Sequence, residues 1–234
     1  AVGAQYMNYG KMDETDEAGN TLGQFSAKDI VIGAGYSYLL SDRWTGGANL
    51  KMMVSNLADY TALAAAIDVG LNYYDDENDL SVSASLQNIG TQLKAYHDGQ
   101  RTHLPFTLAL GFSKGMAHLP VRFHVTMTDV TRWKSSYYVL PENKDKDKSD
   151  KVGFGKIALN HFVLGLDILP TDYLYLSVGY NFRRAYELKA SGSSHLAGLS
   201  AGAGVNVKHF KFGVSYAKYH QASNSIMANV GYAF

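Results

Sequence analysis

The sequence predicts an all-β fold, an antiparallel transmembrane barrel of the outer-membrane kind, and three observations carry the prediction. Apolar and polar residues alternate with period two from end to end, while helical periodicity is nearly absent. The alternating segments number about twelve, each roughly 9 to 15 residues long, nearer to membrane-barrel strands than to the ~5–6 residues of soluble sheets. The composition is that of strands and tight turns: of 234 residues, 17 are Tyr, 23 Gly and only 4 Pro. Charged residues make up 18%, below the roughly 25% of soluble domains.

Taken in order, the strands fall near residues 1–11, 24–40, 43–57, 61–74, 79–91, 104–114, 120–131, 158–169, 172–187, 196–207, 209–220 and 224–234. The opening "AVGAQYMNYG" already reads as strand. "DIVIGAGYSY" turns the small residues Gly33, Gly35 and Ser37 to one face. The third and fourth strands place Lys51 and Asp68 between apolar neighbours, so both point inward. "LSVSASLQN" sets Leu80, Val82, Ala84 and Leu86 against Ser81, Ser83, Ser85 and Gln87. "PFTLALGFS" sets Phe106, Leu108, Leu110 and Phe112 against small residues. "PVRFHVTMT" gives the cleanest alternation, Val121, Phe123, Val125 and Met127 against Arg122, His124, Thr126 and Thr128. Asp167 points inward from the eighth strand, and "DYLYLSVGYNF" aligns Leu174, Leu176, Val178, Tyr180 and Phe182 outward. "AGLSAGAGVNV" sends Gly198, Ser200, Gly202, Gly204 and Asn206 inward, and Lys211 follows from the next strand. The last strand shows Ile226, Ala228, Val230, Tyr232 and Phe234 to lipid.

Connections alternate in length. Short turns at 41–43, 75–79, 170–172 and 208–209, with a longer one at 114–119, face mostly longer polar connections at 12–24, 94–103, 134–155 and 188–195. Outer-membrane barrels have this asymmetry, with short periplasmic turns. Pro105, Pro120 and Pro170 lie at strand ends or turns and Pro141 in the longest loop, so none removes a ladder hydrogen bond. Trp44 and Tyr73 fall near short turns, and Trp133, Tyr96 and Tyr186 near long loops, the two headgroup levels that aromatic rings favour. In a bilayer every backbone group is bonded within the sheet, so the sheet has to close. No linker or composition break divides 1–234, which reads as a single barrel domain. The strand-like start places the protein's true N-terminus upstream, with the first part of the barrel outside this chain.

Lys+Arg and Asp+Glu are both 21, without the basic surplus of a general nucleic-acid binder. Cysteine is absent, which removes disulfides, thiolate nucleophiles and Cys-ligated metals. The eight His show no metal-ligand spacing, and no Gly-x-Ser-x-Gly elbow occurs. His97 beside Asp98 in "YHDG" reads as a solvated turn rather than a catalytic pair. Asp13, Glu14, Asp16 and Glu17 crowd the first outer loop, but lack the spacing of a calcium loop. Arg183 and Arg184 stand at the outer end of a strand, where they could meet lipid phosphates or an acidic partner. These six residues are the candidate extracellular partner contacts. "NKDKDKSDK", with no apolar content, predicts a mobile stretch. The inward charges read as a paired or solvated lumen set. No catalytic residue, metal site or cofactor is expected.

Longer strings carry a resemblance: "NYGKMDETDEAGNTLGQFSAKD", "NLADYTALAAAIDVGLNYY", "QNIGTQLKAY", "LPFTLALGFSKGMAHLPVRF", "GYNFRRAYELK" and "LAGLSAGAGVNVKHFKFGVSYAKYH". Together they resemble the PorV/PorQ family, outer-membrane barrels of the type IX secretion system that are related to FadL-type barrels. The resemblance runs over almost the whole chain. It implies about fourteen strands in the intact protein and a non-enzymatic role as an integral outer-membrane anchor. The implied partners are the surface protein PorZ, with PorV and the sortase-type PorU, in a complex that attaches secreted cargo to anionic lipopolysaccharide. The alternative is a FadL-like transporter of hydrophobic molecules. A terminal aromatic in strand register, here Tyr232 and Phe234, is also the signal that barrel-assembly machinery recognises in outer-membrane proteins as a class.

Overall fold

The computed structural model describes residues 1–96, 103–138, 152–188, 197–220 and 223–232. Its strands are β1 (Val2–Thr15), β2 (Thr21–Ser41), β3 (Trp44–Leu57), β4 (Tyr60–Asp75), β5 (Leu80–Lys94), β6 (Thr107–Gly115), β7 (Val121–Met127), β8 (Phe162–Thr171), β9 (Leu174–Asn181), β10 (Leu199–Val207), β11 (Phe210–His220) and β12 (Ser223–Tyr232). They form a 12-stranded sheet in sequence order, an open order that begins at β1 and ends at β12. Two short helices interrupt it, α1 (Phe154–Asn160) and α2 (Phe182–Glu187). Among the described residues no helix is long and apolar enough to cross a membrane.

The contacts group into two compact units, residues 1–72 with 84–108, and residues 73–83 with 109–234. In the first, β2 pairs with β3 from Ala27↔Leu57 to Ser41↔Trp44. The long strands leave Ile32 and Tyr36 on β2, and Leu50 and Met52 on β3, exposed on one face. The other face is polar. Lys51 meets Asp68 at 2.8 Å, and Asn88, held at a positive φ of 59°, turns its backbone N–H to Asp68 at 2.9 Å. The Asn88 side chain accepts from Lys51 Nζ at 2.8 Å. Nearer the long connections, Asp29 accepts from Tyr9 Oη at 2.7 Å and from Ser55 Oγ, which itself accepts from Tyr96 Oη at 2.6 Å. The inward charges are thus paired through the strands on either side, as a polar wall face requires.

In the second unit the exposed face is apolar along its whole width. Phe112, Phe123, Leu164, Val178, Phe212 and Val214 all point outward from alternate positions. Cross-strand pairs build that face: Phe212↔Val230, Val214↔Ala228 and Tyr216↔Ile226. At the short-turn rim Phe210 meets Tyr232 edge-on at 5.1 Å, an aromatic girdle of the kind that marks a membrane interface. Pro170 falls in the register break between Ile168 and Thr171, where its missing N–H costs the ladder nothing.

Several boundaries differ from the sequence reading. The first loop, expected over 12–24, is shorter, because β1 runs to Thr15 and β2 starts at Thr21. Asp13 and Gln24 face each other and bond at 2.9 Å, so polar residues sustain strand pairing where both faces meet water. The ninth strand, expected to reach residue 187, stops at Asn181, whose side chain accepts from Arg184 N at 3.0 Å and caps α2. The seventh strand, expected to reach residue 131, ends at Met127, and α1 occupies the start of what read as the eighth.

The turn at residues 16–20 makes a prediction of its own. The Asp16 carboxylate accepts from Asn20 Nδ2 at 2.9 Å, Asn20 N at 2.8 Å and Ala18 N at 3.0 Å. These bonds, the Asn20 side chain first, hold its pKa below the ordinary 3.8. A depressed carboxylate pKa stabilises the fold above the unfolded value and loses that contribution as pH falls through the folded one. The Ala18 and Asn20 amide resonances should therefore stay fixed down to the usual carboxylate range and shift only below it. Movement centred above that range would contradict the Asp16 cap.

Candidate functional site

A groove that carries a few polar side chains runs across β7–β11 on the face opposite the exposed apolar one. Strand register lays its residues in rows. One row reads Arg122, Asp167, Ser177, Gly202, Ser215. The next reads His124, Gly165, Gly179, Ser200. Glycine at three of these positions and serine at three leaves the sheet floor bare, so an open groove of about 260 Å³ results. Its walls are His124, Thr126, Asp167 and the three serines. A second recess continues along the same face past Arg122, Asp172, Tyr175 and Asn206.

The polar groups of the groove are locked to one another. His124 Nε2 lies 2.7 Å from Asp167 Oδ2, and Ser177 Oγ donates to Asp167 Oδ1 at 2.7 Å. Ser200 Oγ donates to the Gly179 carbonyl at 3.3 Å. Arg122, the register partner of Asp167, reaches away instead, with Nη2 2.8 and 3.0 Å from the two Asp79 oxygens and Nε at 3.3 Å. Ser, Asp and His meet here in the wrong order for nucleophilic catalysis. The carboxylate stands between the other two, so the serine proton goes to Asp167 and no imidazole is placed to take it.

A second constellation sits in the segments beside the groove strands. Arg183 on α2 donates from Nη1 to Asp129 at 2.9 Å, from Nε to Glu187 at 3.1 Å and from Nη2 to the Tyr137 carbonyl at 3.1 Å. Its guanidinium carbon lies 5.0 Å from the Tyr138 ring centre. His161 is wholly buried; Nδ1 bonds the Thr128 carbonyl at 2.7 Å, Nε2 lies 3.0 Å from Tyr138 Oη, and Trp133 packs on the ring at 4.3 Å. Burial pushes the Tyr138 hydroxyl pKa up, and does the same to Tyr186.

Of the six proposed contact residues, Asp13 and Glu14 lie at the end of β1, Asp16 and Glu17 lie in the turn that follows, and Arg183 and Arg184 lie on α2. Among the described residues no cluster of three or more His, Cys, Asp or Glu is placed to hold a metal ion. Tyr232 is in β12; Phe234 lies outside the described residues, as do His97, Asp98, Pro141 and the "NKDKDKSDK" stretch. His124, Arg122 and Asp167 were legible as inward positions from alternation alone. Ser177 as their partner was not, because its role comes from register. Asp129, Tyr138 and His161 carried no signal, since the contacts that tie them together, to Arg183, Thr128 and one another, span 23 to 54 residues of sequence.

No protein-family model matches this chain, and no curated protein matches its sequence. Among solved structures it is similar to the Pseudomonas putida toluene transporter TodX, with a TM-score of 0.53 at 14% identity, over 98% of this chain and 76% of that one. The likeness is one of fold, an antiparallel all-β sheet of the outer-membrane-barrel kind. The alternation separates an exposed apolar face from the face that carries the groove.

Proposed function

We propose that this chain forms the wall of an outer-membrane barrel that admits small hydrophobic molecules. The observation that carries the reading is the likeness to a toluene transporter along 98% of the chain. Two features of the chain support it. The apolar outer face and its aromatic rim suit an outer membrane, and the glycine- and serine-lined inner face leaves room for a solute beside the wall. The reaction-free arrangement of His124, Asp167 and Ser177 suits passage rather than turnover.

The test is uptake of radiolabelled toluene into lipid vesicles carrying the purified full-length protein. Saturable entry, at least ~10-fold above protein-free vesicles, is expected of a facilitated path, since a barrel without one leaves only bilayer permeation. Entry equal to that of empty vesicles overturns the reading.

A second reading rests on the sequence strings that resemble the PorV/PorQ family: a type IX attachment subunit holding PorZ, with PorV and PorU, and joining cargo to lipopolysaccharide. Asp13, Glu14, Asp16, Glu17, Arg183 and Arg184 would then be contact positions. Deletion of the gene separates the two readings. Loss of surface-anchored cargo supports attachment, while cargo that remains fully anchored removes it.

A further inference from the structure

The groove across β7–β11 sets the Asp167 carboxylate and the Ser177 and Ser200 oxygens as acceptors beside the Thr126 and Ser215 hydroxyls, and the carboxylate's charge decides what it favours. A carboxylate only accepts, so the 2.7 Å contact between His124 and Asp167 places a proton on Nε2. The Ser177 hydroxyl proton goes to Asp167 and the Ser200 hydroxyl proton to the Gly179 carbonyl, which leaves the lone pairs of both oxygens for a ligand. Asp167 keeps further acceptor positions, because each oxygen receives one protein donor here and can take about two. Arg122, the nearby fixed cation, directs Nε and Nη2 to Asp79. The floor between these groups is glycine, at Gly165, Gly179 and Gly202, a bed of bare backbone without side chains.

We propose that this groove binds small amphipathic molecules that present a hydrogen-bond donor, namely alcohols, phenols and primary amines, and that it discriminates against carboxylates. The proposal rests on the transport reading for its solute and names the class that site would select. The apolar body of such a molecule lies on the glycine bed, and its O–H or N–H meets Asp167 or Ser177. A carboxylate of the same size would bring a negative charge and two acceptor oxygens beside Asp167, which costs the repulsion and wastes that acceptor. The volume, about 260 Å³, suits one aromatic ring with a short polar arm.

The experiment uses the full-length protein in detergent micelles with benzyl alcohol, benzylamine and benzoate as matched probes, read by titration calorimetry at neutral pH. Benzyl alcohol and benzylamine should bind at least ~10-fold more tightly than benzoate, since a hydrogen bond to a charged acceptor is worth about one such factor or more. In Asp167→Asn the benzylamine affinity should fall ~10-fold and benzoate should come within ~3-fold of the alcohol. Ser177→Ala, which removes an acceptor without adding bulk, should weaken the alcohol several-fold and leave benzoate unchanged. It carries the test by itself should the Asp167 variant fail to fold.

Benzoate binding as tightly as the alcohol in the unsubstituted protein overturns the proposal, and so does an unchanged probe ratio in a folded variant. Vesicle uptake separates the two levels of the argument. Entry of all three probes at equal rates, unaltered by Asp167→Asn, removes the groove assignment and leaves transport standing. Selective binding without any uptake keeps the groove and removes transport.

Discussion

Replacing Arg183 with alanine is expected to release the segments around residues 128–138 and 182–188 while the strands stay intact. Arg183 joins Asp129, Glu187 and the Tyr137 carbonyl through separate nitrogens and covers the Tyr138 ring. Its side chain is 29% exposed and those of Asp129 and Glu187 are 16% and 17% exposed, so the carboxylates it would leave behind are poorly hydrated. Asp129 retains Arg132 at 3.4 Å, which softens the loss. Removing one partner of such a network costs about 2–4 kcal/mol. Local amide protection in these segments should therefore drop on the order of 30- to 1,000-fold, with trypsin cutting faster at Arg132 and Lys134. Arg183→Lys should recover only a part, because an ammonium holds charge but not the planar fork. Protection equal to the unsubstituted protein would show that Asp129, Glu187 and α2 hold without the hub.

The second large effect is expected in the other unit, at Lys51. Asp68 accepts from Lys51 at 2.8 Å, from Asn88 N at 2.9 Å and from Asn49 Nδ2 at 3.3 Å. Lys51→Met takes away the cation and leaves the carboxylate with two neutral donors, at a cost of about 1–3 kcal/mol for a pair this little exposed. Lys51→Met combined with Asp68→Asn removes both charges and keeps an acceptor for the Asn88 N–H, so the double variant should be more stable than Lys51→Met alone. Urea unfolding in micelles, followed by gel mobility and by Trp44 fluorescence in the same unit, measures both. A double variant as unstable as the sum of its single changes would mean that the two residues do not interact.

Both predictions depend on groups whose importance alternation does not announce in the same degree. Lys51 and Asp68 were visible as inward charges, because a strand sends every second residue to one face and a charge between apolar neighbours has one face left to occupy. Their pairing was a reasonable inference, and neighbouring strands supplied it. Arg183 read as an outward rim charge, since a strand drawn to residue 187 sends its end to the rim. Asn181 ended that strand by capping α2, and the turn of helix swung Arg183 onto Asp129. The same holds for His124 and Ser177. Both were inward by period, yet only register brought them to opposite oxygens of Asp167.

Alternation and turn residues were enough for the all-β class, the count of strands and the face that residues within the strands take. These are local properties: period two follows from the pleat, and a turn announces itself within a few residues. Only the tertiary structure decided which strand ends become helices, which charges close on which partners, and where a row of glycines opens a groove. Those outcomes depend on cross-strand register and on contacts such as Arg183–Asp129, 54 residues apart. No window of sequence contains both ends of such a bond, so its energy is set by the packing that brings them together.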